Sequence, residues 1–116
     1  MGITYIEGTV RNDGTEEPVS FLVDSGATYT LLPQQVWQSL GLQPTREMDF
    51  ILADGTRISR GISECWIELP QGRGHTPVIL GEARDDALLG VVTLEELGLV
   101  FNPFERSLQP MRARLT

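Results

Sequence analysis

Phe21-Leu22-Val23-Asp24-Ser25-Gly26-Ala27-Thr28 is the stretch from which the architecture of this chain can be read. Three apolar residues run directly into an aspartate, a hydroxyl residue, a glycine and an alanine. Phe, Leu and Val with no polar alternation predict a buried strand. A carboxylate at the end of such a strand is costly to bury unless it is hydrogen-bonded or shares its charge with a partner group. Gly26 permits a sharp turn and a close backbone approach, and Ala27 leaves room above it. Ser25 offers a short hydroxyl that can tie the turn to another backbone.

Upstream, residues 3–10 alternate as a strand does, with Ile3 and Tyr5 on one face and Ile6 and Val10 on the other. Asn12-Asp13-Gly14 predicts a hairpin, because its central positions tolerate positive φ. Residues 19–23 then return and deliver Asp24. Downstream, residues 28–32 read as a short strand. Pro33 suits a helix start, Val36, Trp37 and Leu40 recur at helical spacing, and Gly41 supplies a C-terminal cap.

The middle of the chain carries strand signals. Residues 48–53 lead into Asp54-Gly55, a second hairpin dipeptide, and residues 56–59 lead away. Cys65, Ile67 and Leu69 share one strand face, with Glu64, Trp66 and Glu68 on the other. Gln71-Gly72-Arg73-Gly74 is expected to turn the chain before residues 76–80 return. Ala87-Leu88-Leu89-Gly90 then opens a second strand–glycine–helix unit, with Leu94 and Leu97 on one helix face. Gly98 caps it, and Leu99, Val100 and Phe101 follow as an apolar strand. Ser39-Leu40-Gly41-Leu42 and Glu96-Leu97-Gly98-Leu99 make a weak internal repeat.

With 116 residues, 41% of them apolar and 22% charged, the chain reads as one globular domain over residues 1–116. A net charge of -7 and no basic cluster argue against nucleic acid as a partner. One cysteine, Cys65, allows no intrachain disulfide, and a single histidine leaves no cysteine–histidine metal cluster. The start lacks a basic and apolar leader and no apolar run reaches membrane-spanning length, so a cytoplasmic protein without a membrane partner is expected. His75 has no nucleophile elbow of the G-x-S-x-G kind to serve. Cys65 is expected in the core, and Asp85-Asp86 in a solvated turn.

Asp24-Ser25-Gly26-Ala27 after an apolar strand resembles the active-site loop of aspartic peptidases. The short chain is similar to their retroviral-type, retropepsin-like branch, particularly its cellular microbial members. Leu88-Leu89-Gly90 before a terminal helix resembles the segment that crosses beneath that loop in the same family. The resemblance implies an all-β fold: a closed β-barrel of the acid-protease kind with two short helices, one Asp-Ser-Gly loop per chain and a flap hairpin.

Peptide hydrolysis by this chemistry uses two carboxyls on one water, one as general base and the other, protonated, as acid. Two such groups close together share a proton and titrate as a pair. This chain has one Asp-Ser-Gly, while Asp13, Asp49, Asp54, Asp85 and Asp86 lie in turn-like or polar contexts. The expectation is therefore an aspartic endopeptidase acting on peptide or protein substrates as a homodimer, with paired Asp24 residues at its twofold axis. By resemblance, Ser25 would brace the two loops across that axis, and Gly26 and Ala27 would line the cleft. Ala53, Asp54, Gly55 and Thr56 would form the flap tip, and Leu88 would wall a side-chain pocket. No metal or organic cofactor is implied, since carboxylates alone activate the water.

Three features depart from the retroviral pattern. Val91 stands where an arginine usually makes dimer contacts, the flap tip lacks a glycine-rich run, and the residues after Phe101 are longer than a retroviral tail and are interrupted by Pro103 and Pro110. Retropepsin-like domains also occur as dimerisation or interaction modules with little or no proteolysis, which is the alternative reading.

Overall fold

Asp13 at φ 50 and Gly14 at φ 85 close a two-residue hairpin between β1 (Tyr5–Asn12) and β2 (Thr15–Val23) in the computed structural model, which describes residues 3–24 and 26–112. Two consecutive positive φ values match the twist of the flanking strands, and the Asp-Gly pair tolerates them. The chain continues through β3 (Thr30–Leu32), α1 (Gln34–Ser39), β4 (Arg46–Ile51), β5 (Arg57–Leu69) and β6 (Gly72–Leu80). It ends with β7 (Leu88–Leu89), α2 (Val91–Glu96), β8 (Leu99–Asn102) and β9 (Ser107–Pro110).

Six strands close on themselves in the order β1-β2-β7-β3-β6-β5, with β5 returning to β1 through Val10 opposite Ile67. Closure removes the exposed edges that an open sheet would present. The fold is thus a closed, mostly β barrel with two short helices, as the sequence led us to expect. Val10, Phe21, Leu32, Ile67, Val78 and Leu89 fill its interior with no exposed surface. Along β2, Val19 and Phe21 point inward while Ser20 faces solvent. Each large apolar side chain buried in this way contributes about 1.5–3 kcal/mol.

The barrel repeats at a constant offset of 57 positions: β2 starts at Thr15 and β6 at Gly72, while α1 starts at Gln34 and α2 at Val91. Gly41 and Gly98 end the two helices at φ 71 and 70, which explains the Leu-Gly-Leu repeat in the sequence. Neither helix has a side-chain N-cap, since Pro33 and Gly90 precede them. The amides left open at each N-terminus need other acceptors. Val91 N and Val92 N donate to Ala27 O and Thr28 O, and Gln34 N donates to Glu82 O. Each half of the barrel caps the other half's helix with the loop that follows β2 or β6.

Three expectations are corrected. β5 runs unbroken for 13 residues, joining the two strands read separately at residues 56–59 and 64–69. Ile62 marks the changeover, pairing with both Arg46 of β4 and Ile79 of β6. The following turn uses Pro70 and Gln71, with Leu69 opposite Gly72, so Gly72 and Gly74 belong to β6. These glycines admit the end of α2: a Cβ on Gly74 would lie 3.1 Å from Leu97 Cδ2. Finally, the chain after Phe101 forms the β8–β9 hairpin. Pro103 lies in its turn and Pro110 ends an edge strand, positions that proline tolerates.

Among the described residues, no helix is long and apolar enough to cross a membrane.

Candidate active site

Asp24 directly follows β2, whose end is held on both sides. Val23 N donates to Thr4 O at 2.9 Å, and Leu22 N to Ala87 O at 2.9 Å. Leu22 and Val23 run parallel to Leu88 and Leu89 of β7. The Asp24 side chain is exposed; its Oδ1 accepts from Gly26 N at 2.9 Å, while Asp24 O accepts from Ala27 N at 3.0 Å. Aspartate favours such local bonds to the backbone two residues ahead. The result is a carboxylate presented to solvent on a backbone that is tied down.

Gly90 passes directly beneath this loop. A Cβ there would lie 2.3 Å from Tyr29 C and 2.6 Å from Thr30 N, so no side chain fits. Gly90 N donates to Thr30 Oγ1 at 3.0 Å. Thr30, Thr93 and Thr76 are buried and their hydroxyls touch in a row, with Thr93 and Thr76 2.7 Å apart. Thr76 donates to Pro77 O at 3.3 Å. One proton order then satisfies every group: Thr30 donates to Thr93, and Thr93 to Thr76. The row joins β3, α2 and β6 under the Asp24 loop. Sequence reasoning missed it, because its only signature is a hydroxyl at positions where the apolar pattern asks for an aliphatic residue.

A groove of about 590 Å³ opens beside Asp24, with walls from Val23, Val91, Glu95, Val100 and Met111. It lies between the barrel end, α2 and the β8–β9 hairpin. Gly26 is exposed next to it, and Ala27 is half-buried with its carbonyl occupied by α2. Ser25 lies outside the described residues. Leu88 is half-buried between Leu22 and Leu31, and the groove takes Leu89 rather than Leu88 into its wall.

Ala53, Asp54, Gly55 and Thr56 sit at the exposed tip of the β4–β5 hairpin and do not line that groove. Leu52 N donates to Thr56 O at 2.8 Å, and Gly55 takes φ 87. Thr56 N donates to Asp54 Oδ1 at 2.9 Å. Hydrogen bonds from Thr56, side chain first and backbone second, hold the Asp54 carboxyl below its ordinary value. Beyond Ile62 the two strands pair only with each other, as a ribbon whose Arg60 donates to Glu82 Oε1, in the loop after β6, at 2.9 Å.

The other reactive side chains lie elsewhere. His75 stands edge-on to Trp66 with ring centroids 5.4 Å apart, in a hollow lined by Arg11 and Glu64. Cys65 is buried, and burial pushes its thiol up to about 12. Asp85 Oδ2 accepts from Glu82 N at 2.6 Å inside its own turn. Among the described residues, no group of three or more His, Cys, Asp or Glu side chains is arranged to hold a metal ion. At the 57-residue offset, the counterpart of Asp24 is Gly81.

The profile of the aspartyl protease family matches residues 6–93, from β1 into α2 with the Asp24 loop inside it. The chain belongs to that family. Its fold is that of a retropepsin: the solution structure of the simian foamy virus (mac) protease matches with a TM-score of 0.57. That match is 19% identical and covers 80% of this chain and 93% of the viral one. No curated protein matches the chain.

Proposed function

We propose that this protein is an aspartic endopeptidase that works as a homodimer, with one Asp24 from each chain at the active centre. The observation that carries the reading is an exposed carboxylate that directly follows a strand end hydrogen-bonded on both sides, with Gly81 at the corresponding place in the second half. In the dimer the two carboxyls hold one water and share one proton. The ionised carboxyl takes a proton from the water as its oxygen attacks the scissile carbonyl carbon. The protonated carboxyl gives its proton to the carbonyl oxygen, forming a tetrahedral diol. Collapse of the diol returns a proton to the leaving nitrogen and breaks the C–N bond.

Gly26 and Ala27 flank the carboxylate, where an extended peptide would run. The β4–β5 ribbon is the flap in this reading: beyond Ile62 its strands pair only with each other, and its exposed tip is able to close over a bound peptide.

The test is cleavage of a peptide library between acid and neutral pH by wild type and Asp24→Asn. Cleavage that vanishes in a folded, dimeric Asp24→Asn variant supports the reading, and specific activity should fall on dilution as the dimer dissociates. Cleavage that survives the substitution removes Asp24 from the chemistry. A folded dimer that cleaves nothing at any pH makes the protein a retropepsin-like interaction module instead.

A further inference from the structure

We propose that the hollow around Trp66, on the outer wall of the barrel, docks a basic, extended segment of a partner protein and seats one arginine or lysine side chain against the indole. The inference does not depend on cleavage at Asp24. Glu16, the cross-strand partner of Arg11, stands eight residues before Asp24 along the chain, at position 16 against 24. At a strand rise of about 3.3 Å per residue that is roughly 26 Å, so the two places are separate.

Strand register builds the hollow. Trp66 of β5 lies opposite Arg11 of β1 and opposite His75 of β6, so three large side chains stand abreast on the outer face. Cys65 and Ile67, the neighbours of Trp66 along β5, belong to the core on the other face. With Asp13 and Glu64 at its rim, the hollow holds about 280 Å³. That is just under the roughly 300–1,000 Å³ usual for small-molecule pockets, and it suits the end of one long side chain. One donor in it has no partner: Trp66 Nε1 is shielded from solvent and has no acceptor among the described residues. A buried N–H is seldom left in that state, and each one asks for an explanation. His75 stands edge-on to the indole, is exposed, and makes no side-chain hydrogen bond among the described residues. When His75 turns aside, a backbone carbonyl of the incoming segment accepts from Nε1.

Charge decides the sign of the occupant. Arg11 is already engaged, since its Nε and Nη2 lie 2.8 and 2.6 Å from Glu16 Oε1. Asp13 and Glu64 are exposed and enter no ion pair among the described residues. Pro77, opposite Glu64 on β6, has no charge to set against it. Two unpaired carboxylates beside one indole favour a cation, which gains from the π face as well as from the charges. A net charge of -7 draws basic partners in preference to acidic ones. Because β5 is paired on both sides, by β1 and by β6, the segment is held through its side chain and not added to the sheet as a strand.

The experiment is an NMR titration of wild type and Asp24→Asn with a blocked pentapeptide that carries arginine between glycines. The same peptide with citrulline, a neutral isostere, and free arginine amide serve as comparisons. The chain has two indoles, Trp37 and Trp66, and Trp66→Phe assigns their N–H resonances. Millimolar arginine peptide should move the Trp66 indole resonance and leave that of Trp37 in place, equally in wild type and Asp24→Asn. The citrulline peptide should bind about 5-fold more weakly or worse. Glu64 is exposed, so Glu64→Gln should stay folded and weaken binding by about 3-fold. Trp66→Phe keeps a ring but lacks the N–H; read through the amides of residues 64–67, with circular dichroism to verify folding, it should weaken binding by about 3-fold or more.

A Trp66 indole that does not respond, or arginine and citrulline peptides that bind alike, overturns the proposal. So does a Glu64→Gln variant that binds as tightly as wild type. Shifts centred on the residues flanking Asp24 would put the peptide there instead and likewise overturn it. Free arginine amide binding as tightly as the peptide would make this a site for a small cation and remove the protein segment as its occupant. A protein that never cleaves yet binds the arginine peptide at Trp66 would leave this site standing and remove the protease reading.

Discussion

Leu31 of β3 and Leu88 of β7 are antiparallel partners, and each is the other's counterpart at the 57-residue offset. A residue pairs antiparallel with its own repeat image where an internal twofold axis passes between the two. The barrel is therefore two like units closed about that axis, each capping the other's helix. They differ at the candidate site: the first unit carries Asp24 and the second Gly81. A Cβ on Gly81 would lie 2.7 Å from Leu31 Cδ2 and 2.8 Å from Leu32 O. The packing excludes a second aspartate from that place, which is why the proposed dyad draws its other carboxyl from another chain.

Gly90→Ala should destabilise the protein by about 3 kcal/mol or more, at the upper end for overpacking, because the added carbon meets backbone that cannot turn aside. Its nearest contact would be 2.3 Å, to Tyr29 C. Urea denaturation checks this, and a variant within about 1 kcal/mol of wild type would mean that the Asp24 loop can shift.

Thr93→Val keeps the shape but removes the middle hydroxyl of the buried row, leaving the Thr30 proton without its acceptor and Thr76 without its donor. The expected loss is about 1–3 kcal/mol, the cost of an unsatisfied buried polar group. Thr93→Ser should recover part of it. Equal stability of the Val and Ser variants would count against the assigned proton order.

The tip of the β4–β5 hairpin should loosen in acid. Asp54 is held below its ordinary value of 3.8 by Thr56, so its stabilising effect is present above that value and is lost as pH falls through the folded one. The Thr56 amide resonance should follow a titration with its midpoint below 3.8, absent in Asp54→Asn. A midpoint at or above the ordinary value would mean that the turn does not persist in solution.

Cys65 should resist alkylation at pH 8 until the protein unfolds, since burial pushes its thiol up to about 12 and the reactive thiolate is scarce. Its ordinary value is 9.0, so the stability tied to this group is complete below that pH and is lost as pH rises towards 12. Labelling of the native protein as fast as of the unfolded chain would place the thiol at the surface.

Short-range chemistry made much of this fold legible in the sequence. The strand ending at Asp24, the hairpins at Asp13-Gly14 and Asp54-Gly55, and the helices closed by Gly41 and Gly98 depend on periodicity and turn preference among residues a few positions apart. Tertiary structure alone decided the rest. Closure of β5 onto β1, the mutual capping of α1 and α2, and the Thr30–Thr93–Thr76 row each join residues from separate elements. Pro103 and Pro110 read locally as interruptions, yet in three dimensions they bound a hairpin that walls the groove beside Asp24. Local preference acts through neighbours along the chain, whereas a buried hydroxyl or a capped amide is satisfied only by the partner that folding brings to it.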